Sequence, residues 1–187
     1  MPQDTTLAPR YTAPTRLLHW VVAVMVISTF MVAYAMLDDR LPRNLRDTLF
    51  ILHKNGGVLI LIFVVLRLGW RARHPAPPFP ATMPRWQTRA ARGAHWLLYT
   101  LLMVMAISGY VRVRAGGFPI EALDALGAPL VVPQSDALAD TAKFIHANAR
   151  YALGGLVLVH VAAALRHLRA RDGVFARIWP PLGRGRA

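Results

Sequence analysis

The sequence predicts an all-α membrane protein, a four-transmembrane-helix bundle with both termini cytoplasmic, and three observations carry that prediction. Of the 187 residues 55% are hydrophobic, and the mean hydropathy of +0.37 is high for a soluble chain of this length. Four stretches reach the roughly 20 mostly apolar residues that cross a bilayer's hydrocarbon. Lys and Arg gather in alternate links between those stretches, as the positive-inside rule requires. The chain reads as one membrane-embedded domain over 1–187, with spans at 17–37, 49–70, 94–113 and 147–168.

The first span opens at Leu17 behind a short polar tail. No small-residue cleavage pattern follows it, so a retained helix is expected. The second runs from Leu49 to Trp70 and leaves through His74-Pro75-Ala76-Pro77-Pro78-Phe79-Pro80. Repeated proline forbids a continuing helix, so the link from Arg71 to Arg92 is expected to be an irregular surface connection. The third runs from Ala94 to Val113. The link after it, Arg114 to Phe144, holds Gly116-Gly117, Pro119, Pro129 and Pro133 among short amphipathic pieces, and part of it is expected on the membrane surface. The apolar core of the last span runs from Tyr151 to Leu168, with its preceding turns included.

Charge sets the direction. Arg71, Arg73, Arg85, Arg89 and Arg92 crowd the second link, and Arg166, Arg169, Arg171, Arg177, Arg184 and Arg186 crowd the C-terminal tail, so both are expected in the cytoplasm. The first link balances Arg40, Arg43 and Arg46 with Asp38, Asp39 and Asp47. The third sets Arg112, Arg114 and Lys143 against Glu121, Asp124, Asp136 and Asp140. Topology therefore accounts for most of the net charge of +13 (22 Lys and Arg, 9 Asp and Glu), and a nucleic-acid partner is not expected. The absence of cysteine excludes disulfides, thiolate metal sites and thioether-linked haem.

Six of the seven histidines lie in or beside spans, where ionisable groups are costly and by default functional. Arg16-Leu17-Leu18-His19-Trp20 opens the first span and Arg92-Gly93-Ala94-His95-Trp96 the third, a weak internal echo that also suits interfacial anchoring. His19 and His95 thus stand near the cytoplasmic side, and His53 near the outer start of span two. His146 and His160 are 14 residues apart, about 21 Å along a helix and only ~40° off one face. One face of the fourth span therefore presents imidazoles at two depths. At the outer depth the intramembrane partner for His146 is His53; at the inner depth His160 faces either His19 or His95, and helix arithmetic does not choose.

Two opposed imidazoles suffice for the axial positions of a haem, whereas zinc wants about four ligands, often with carboxylates or thiolates that these spans lack. A structural hydrogen bond is the plain alternative for any one histidine; four matched in depth favour haem. Fourteen residues past His53 stands Arg67, at the inner level, placed for propionates or for snorkelling. Fourteen past His95 stands Gly109, and Gly56-Gly57 and Gly154-Gly155 likewise let a macrocycle or a helix approach. Lys54, Lys143 and Arg150 lie near the outer level, suited to propionates, a small anion or anchoring.

The ordered set Arg16-x-x-His19-Trp20, His53 with Gly56-Gly57, Arg67-x-x-x-Arg71-x-x-His74-Pro75 and His146-x13-His160 resembles the bacterial cytochrome b561 family, over Tyr11 to about Trp179. The resemblance implies a bundle in the bacterial inner membrane with two haems b, the inner on His19 and His160 and the outer on His53 and His146. His95 then becomes a quinone-site or haem-adjacent residue, and Arg16, Lys54, Arg67, Arg71, Lys143 and Arg150 are the propionate or neighbouring candidates. It further implies electron exchange with ubiquinone and superoxide:quinone oxidoreduction, with superoxide delivering an electron at the periplasmic side. His95, His167, Arg71 and Lys54 are the candidate hydrogen-bond partners of a quinone. Two rivals remain at this point: a cytochrome b subunit that docks a hydrogenase or dehydrogenase, and a histidine-based metal or proton transporter, which intramembrane carboxylates and broken helices would favour.

Overall fold

The structure, a computed structural model, describes residues 10–180. Four long helices form it: α1 (Ala13–Ala35), α2 (Arg43–Arg73), α3 (Arg85–Ala115) and, after the five-residue α4 (Glu121–Ala125), α5 (Asp136–Ala170); a 3-10 turn, Phe175–Arg177, follows. Each of the first three long helices begins at a proline, where a missing N–H costs nothing: Pro14 inside the first turn of α1, Pro42 and Pro84 capping α2 and α3. At α5 the Ser135 hydroxyl caps instead, accepting from Leu138 N–H at 3.3 Å. The four long helices have the length and composition to cross a membrane.

The helices overrun the apolar stretches read from the sequence. The irregular part of the second link shrinks to 74–84, and Asp136–Phe144, expected in a loop, forms the first turns of α5. The Ser135 cap and the run of Ala, Leu and Asp behind it explain the early start. α1 stops at Ala35, two residues before the expected Leu37, in a turn where Leu37 N–H donates to the Tyr34 carbonyl. Arg184 and Arg186, counted in the basic tail, lie outside the described residues.

Between 6% and 11% of the residues in each apolar window are buried, so the apolar side chains face mainly outward. A helix apolar all round belongs in lipid. The internal core is small and joins three helices: Val22 and Val26 of α1, Ile60 and Val64 of α2, and Tyr99 of α3. α1 packs along α2, α2 along α3, and α3 most extensively along α5. Among the described residues, neither α1 nor α2 brings a Cα within 8 Å of α5, which leaves a cleft down the middle of the bundle.

Both ends are clasped. At the end carrying the termini, Tyr11 N–H donates to the Arg177 carbonyl and Trp20 Nε1 to the Ile178 carbonyl, both at 3.1 Å. At the far end Lys54 and Asn55 of α2 hold α4: Lys54 Nζ lies 2.6 Å from Glu121 Oε1, Asn55 Nδ2 donates to Glu121 Oε2, and Asn55 Oδ1 accepts from Ala122 N–H. Arg114, at the foot of α3, reaches Asp124 Oδ1 at 2.5 Å.

Candidate functional site

The cleft between α5 and the α1–α2 pair is lined by the histidines. α5 projects His146 and His160 from one face, two levels apart. Opposite them, α1 contributes His19 at the level of the termini and α2 contributes His53 at the far level. His19 and His160 have ring centroids 6.2 Å apart, and His53 and His146 repeat that distance. The planes cross at 72° and 87°. His95 on α3 also approaches His160, at 5.6 Å and 71°.

A metal atom bonded at about 2 Å to each of two opposed imidazoles sets their ring centres roughly 6 Å apart. Both cleft pairs have this spacing, and both bridge helices whose Cα atoms stay more than 8 Å apart. His95 differs in this respect: it stands on the helix packed most extensively against α5. Among the described residues no group of three or more His, Asp or Glu side chains is arranged to hold a bare metal ion. The residues present thus fit haem.

Around the far-end pair, His146 Nδ1 lies 2.9 Å from the Met105 carbonyl of α3, and Ser108 Oγ is 3.3 Å from the same nitrogen. A carbonyl only accepts, so Nδ1 carries the proton and Nε2 is the nitrogen left for a ligand. Gly109, read from the sequence as room for a macrocycle or a helix, receives the His146 ring of α5: a Cβ there would stand 3.0 Å from Cε1. The Thr29 backbone is a hydrogen-bond partner of the buried His53 ring, although Nδ1 closes no bond of ordinary geometry. Gly56 lets Thr29 come close, its Cβ position lying 3.3 Å from Thr29 Oγ1.

At the level of the termini, Arg67 Nε donates to the Tyr99 hydroxyl at 2.9 Å while its Nη1 is buried without a hydrogen-bond partner. A buried guanidinium N–H without an acceptor suits an anionic group entering the cleft. The Arg71 guanidinium lies over the Tyr99 ring at 5.9 Å. Arg16 is 1% exposed, and its Nη1 donates to the Tyr11 carbonyl at 2.8 Å. Three other candidate positions have contacts within the chain. Lys54, a propionate or anion candidate, is committed to Glu121 and the Pro119 carbonyl. Arg150 turns to the Tyr151 hydroxyl on the exposed side of α5, where Lys143 also lies. His167 pairs with Asp172 at 2.5 Å in a small polar cavity of about 110 Å³ beside Thr82 and Gln87.

Burial alone would raise the Asp172 carboxyl, but the His167 hydrogen bond and the Val174 N–H bring it below its ordinary value. Sequence reasoning passed over Tyr99, although its position four residues after His95 puts both on one helix face. It also passed over Ser108 and Met105; the latter acts through a backbone carbonyl and leaves no side-chain signal. A groove of about 550 Å³, lined by Leu68, Trp96, Tyr99, Met103, Ser108 and Ile145 among others, runs along α3 and the start of α5.

Comparison with known proteins agrees with this geometry. The family model of prokaryotic cytochrome b561 matches residues 10–181. Over 165 residues, 87% of each chain, the sequence is 32% identical to cytochrome b561 homolog 2 of Escherichia coli (strain K12). It is 28% identical over 175 residues to cytochrome b561 homolog 1 of the same organism, covering 87% of this chain and 93% of the relative. Four helices fit to cross a bilayer, two histidine pairs with ring centres 6.2 Å apart and a match over almost the whole chain converge: this multi-pass bacterial membrane protein belongs to the prokaryotic cytochrome b561 family, whose members carry electrons on b-type haem.

Proposed function

We propose that the chain works as one unit in the bacterial inner membrane, holding two haems b and passing electrons between a periplasmic donor and ubiquinone. The single observation that carries this reading is the repeated 6.2 Å spacing of two histidine pairs across one open cleft. His19 and His160 are the inner ligands and His53 and His146 the outer ones. The close packing of α3 on α5 argues against His95 as a ligand, because a macrocycle between those helices would have to part them. When bound, the haems supply one-electron chemistry at two depths.

The residues of the chain provide the rest. The imidazoles set the two levels, about 21 Å apart along α5. Arg67 offers its buried Nη1 to an inner propionate. The Lys54–Glu121 pair holds α4 at the outer level beside His53. Lys143 and Arg150, exposed on α5, leave cationic charge near the outer pair for an anionic donor such as superoxide. The largely apolar groove, with Tyr99 and Ser108 among its lining residues, has the size and lining of a quinone site. The termini are cytoplasmic, where the basic link and tail belong.

Dithionite-reduced minus oxidised spectra of purified protein should show two b-type haems. His53→Ala and His146→Ala should each remove the same haem, and His19→Ala and His160→Ala the other. Loss of different haems within a pair would overturn the assignment. Pulsed superoxide should reduce the haems, and then ubiquinone, faster than it dismutates spontaneously; otherwise superoxide is not the donor.

A further inference from the structure

Under the di-haem reading α3 carries no axial ligand, yet it makes the closest contacts to one. Three observations meet at His146. Its Nδ1–H is directed at the Met105 carbonyl at 2.9 Å. The Ser108 hydroxyl, itself bonded to the same carbonyl at 3.2 Å, is 3.3 Å from that nitrogen. The Cε1–Nδ1 edge of the ring meets α3 so closely that a Cβ at Gly109 would come within 3.0 Å of Cε1 and 3.2 Å of Nδ1. Contacts below about 3.4 Å to a Cβ require one partner to move, and here the ring is the movable one. The opposing His53 is held more loosely: the Thr29 backbone is its hydrogen-bond partner, but Nδ1 closes no bond of ordinary geometry.

We propose that Gly109, Ser108 and the Met105 carbonyl form a positioning seat that fixes the tautomer, orientation and electron donation of His146. This rests on His53 and His146 being ligands to one haem. The physical reason is general to metal-bound imidazole. A ligating histidine that donates its second N–H to a carbonyl is held in one tautomer and becomes a stronger donor, which favours the oxidised metal. Glycine at 109 lets the ring sit this close, because an added Cβ would make the ring give by a few tenths of an ångström. α3 thereby tunes the outer haem without touching its iron.

The test is Gly109→Ala in the purified, haem-loaded protein, with Gly93→Ala as control; the latter stands on the same helix where an added Cβ meets nothing within 4 Å. The outer haem is identified as the one lost in His146→Ala. In Gly109→Ala its midpoint potential should shift upward and its low-spin EPR signal should move, while the haem lost in His160→Ala keeps both and Gly93→Ala changes neither. If Gly109→Ala does not assemble, Ser108→Ala carries the test, because it removes only the oxygen 3.3 Å from Nδ1 and should also shift the outer haem alone. Unchanged outer potential and EPR in an assembled variant, or a change confined to the inner haem, would overturn the seat and leave the ligand assignment standing. Retention of both haems by His146→Ala would overturn the two together.

Discussion

Arg67 shows how much one side chain in this cleft has to satisfy. Its Nε is engaged by Tyr99, whereas Nη1 is buried and lacks an acceptor, a condition a membrane interior makes expensive. An entering carboxylate would satisfy it. Replacing Arg67 with Met should therefore weaken retention of the inner haem roughly tenfold or more, since a charge-assisted hydrogen bond contributes about 1.5–3 kcal/mol. Haem content and the inner haem's potential measure this, and an unchanged inner haem would remove Arg67 from the propionate site. Tyr99→Phe, which deletes only the acceptor of Nε, should cost about 1 kcal/mol of stability and leave the haem count intact. His95 fits the same picture: it lies beside His160 without spanning the cleft, so His95→Ala should keep two haems.

Among the elements, the short α4 is the one held chiefly by charge. Glu121 joins Lys54 and Asn55 of α2, and Asp124 joins Arg114 of α3. Burial pushes the Glu121 carboxyl up, but hydrogen bonds from Lys54, its own backbone and Asn55 outweigh it and leave the group below its ordinary 4.5. The Arg114 hydrogen bond likewise lowers Asp124. A carboxylate whose folded value is depressed stabilises above its unfolded value and loses that contribution as pH falls through the folded one. The clasp should be intact at neutral pH and loosen progressively below about 4.5. Hydrogen exchange at the amides of 120–125, corrected for intrinsic rate, should show protection falling in that window, and Glu121→Gln should bring part of the loss to neutral pH. Protection that does not respond to pH or to the substitution would mean that packing of Ile120, 1% exposed, holds the segment instead.

Across the described residues, Tyr11 ahead of α1 and the proline link meet on Arg177. It is 2% exposed, donates to the Pro77 carbonyl at 2.5 Å, and stacks 5.2 Å from the Tyr11 ring centre and 5.0 Å from that of Phe79. Burial pushes its guanidinium below its ordinary value while Tyr11 partly offsets the shift. Desolvated cation–π contacts contribute about 2 kcal/mol and a charged hydrogen bond about as much. Arg177→Ala should lower the thermal midpoint in detergent by several degrees. Arg177→Lys should recover little, because an ammonium cannot stack between two rings while donating in their plane. Equal midpoints for wild type and Arg177→Ala would show the clasp to be superficial.

Properties that repeat along one helix were legible in the chain: four apolar stretches, the alternation of basic links, the pair of histidines on one face of α5, and Arg67 at the inner level opposite them. Each follows from a fixed rise and rotation per residue, so counting suffices. The overlong helices escaped because the ends of Asp136–Ala170 are set by a serine cap and not by hydropathy. Contacts between helices were decided only on folding. His146 rests on Gly109, Lys54 spends its charge on Glu121, and the cleft runs beside α1 and α2 because α5 packs on α3. These outcomes join residues far apart in the chain, and one of them runs through the Met105 carbonyl, a backbone group that every residue type carries alike.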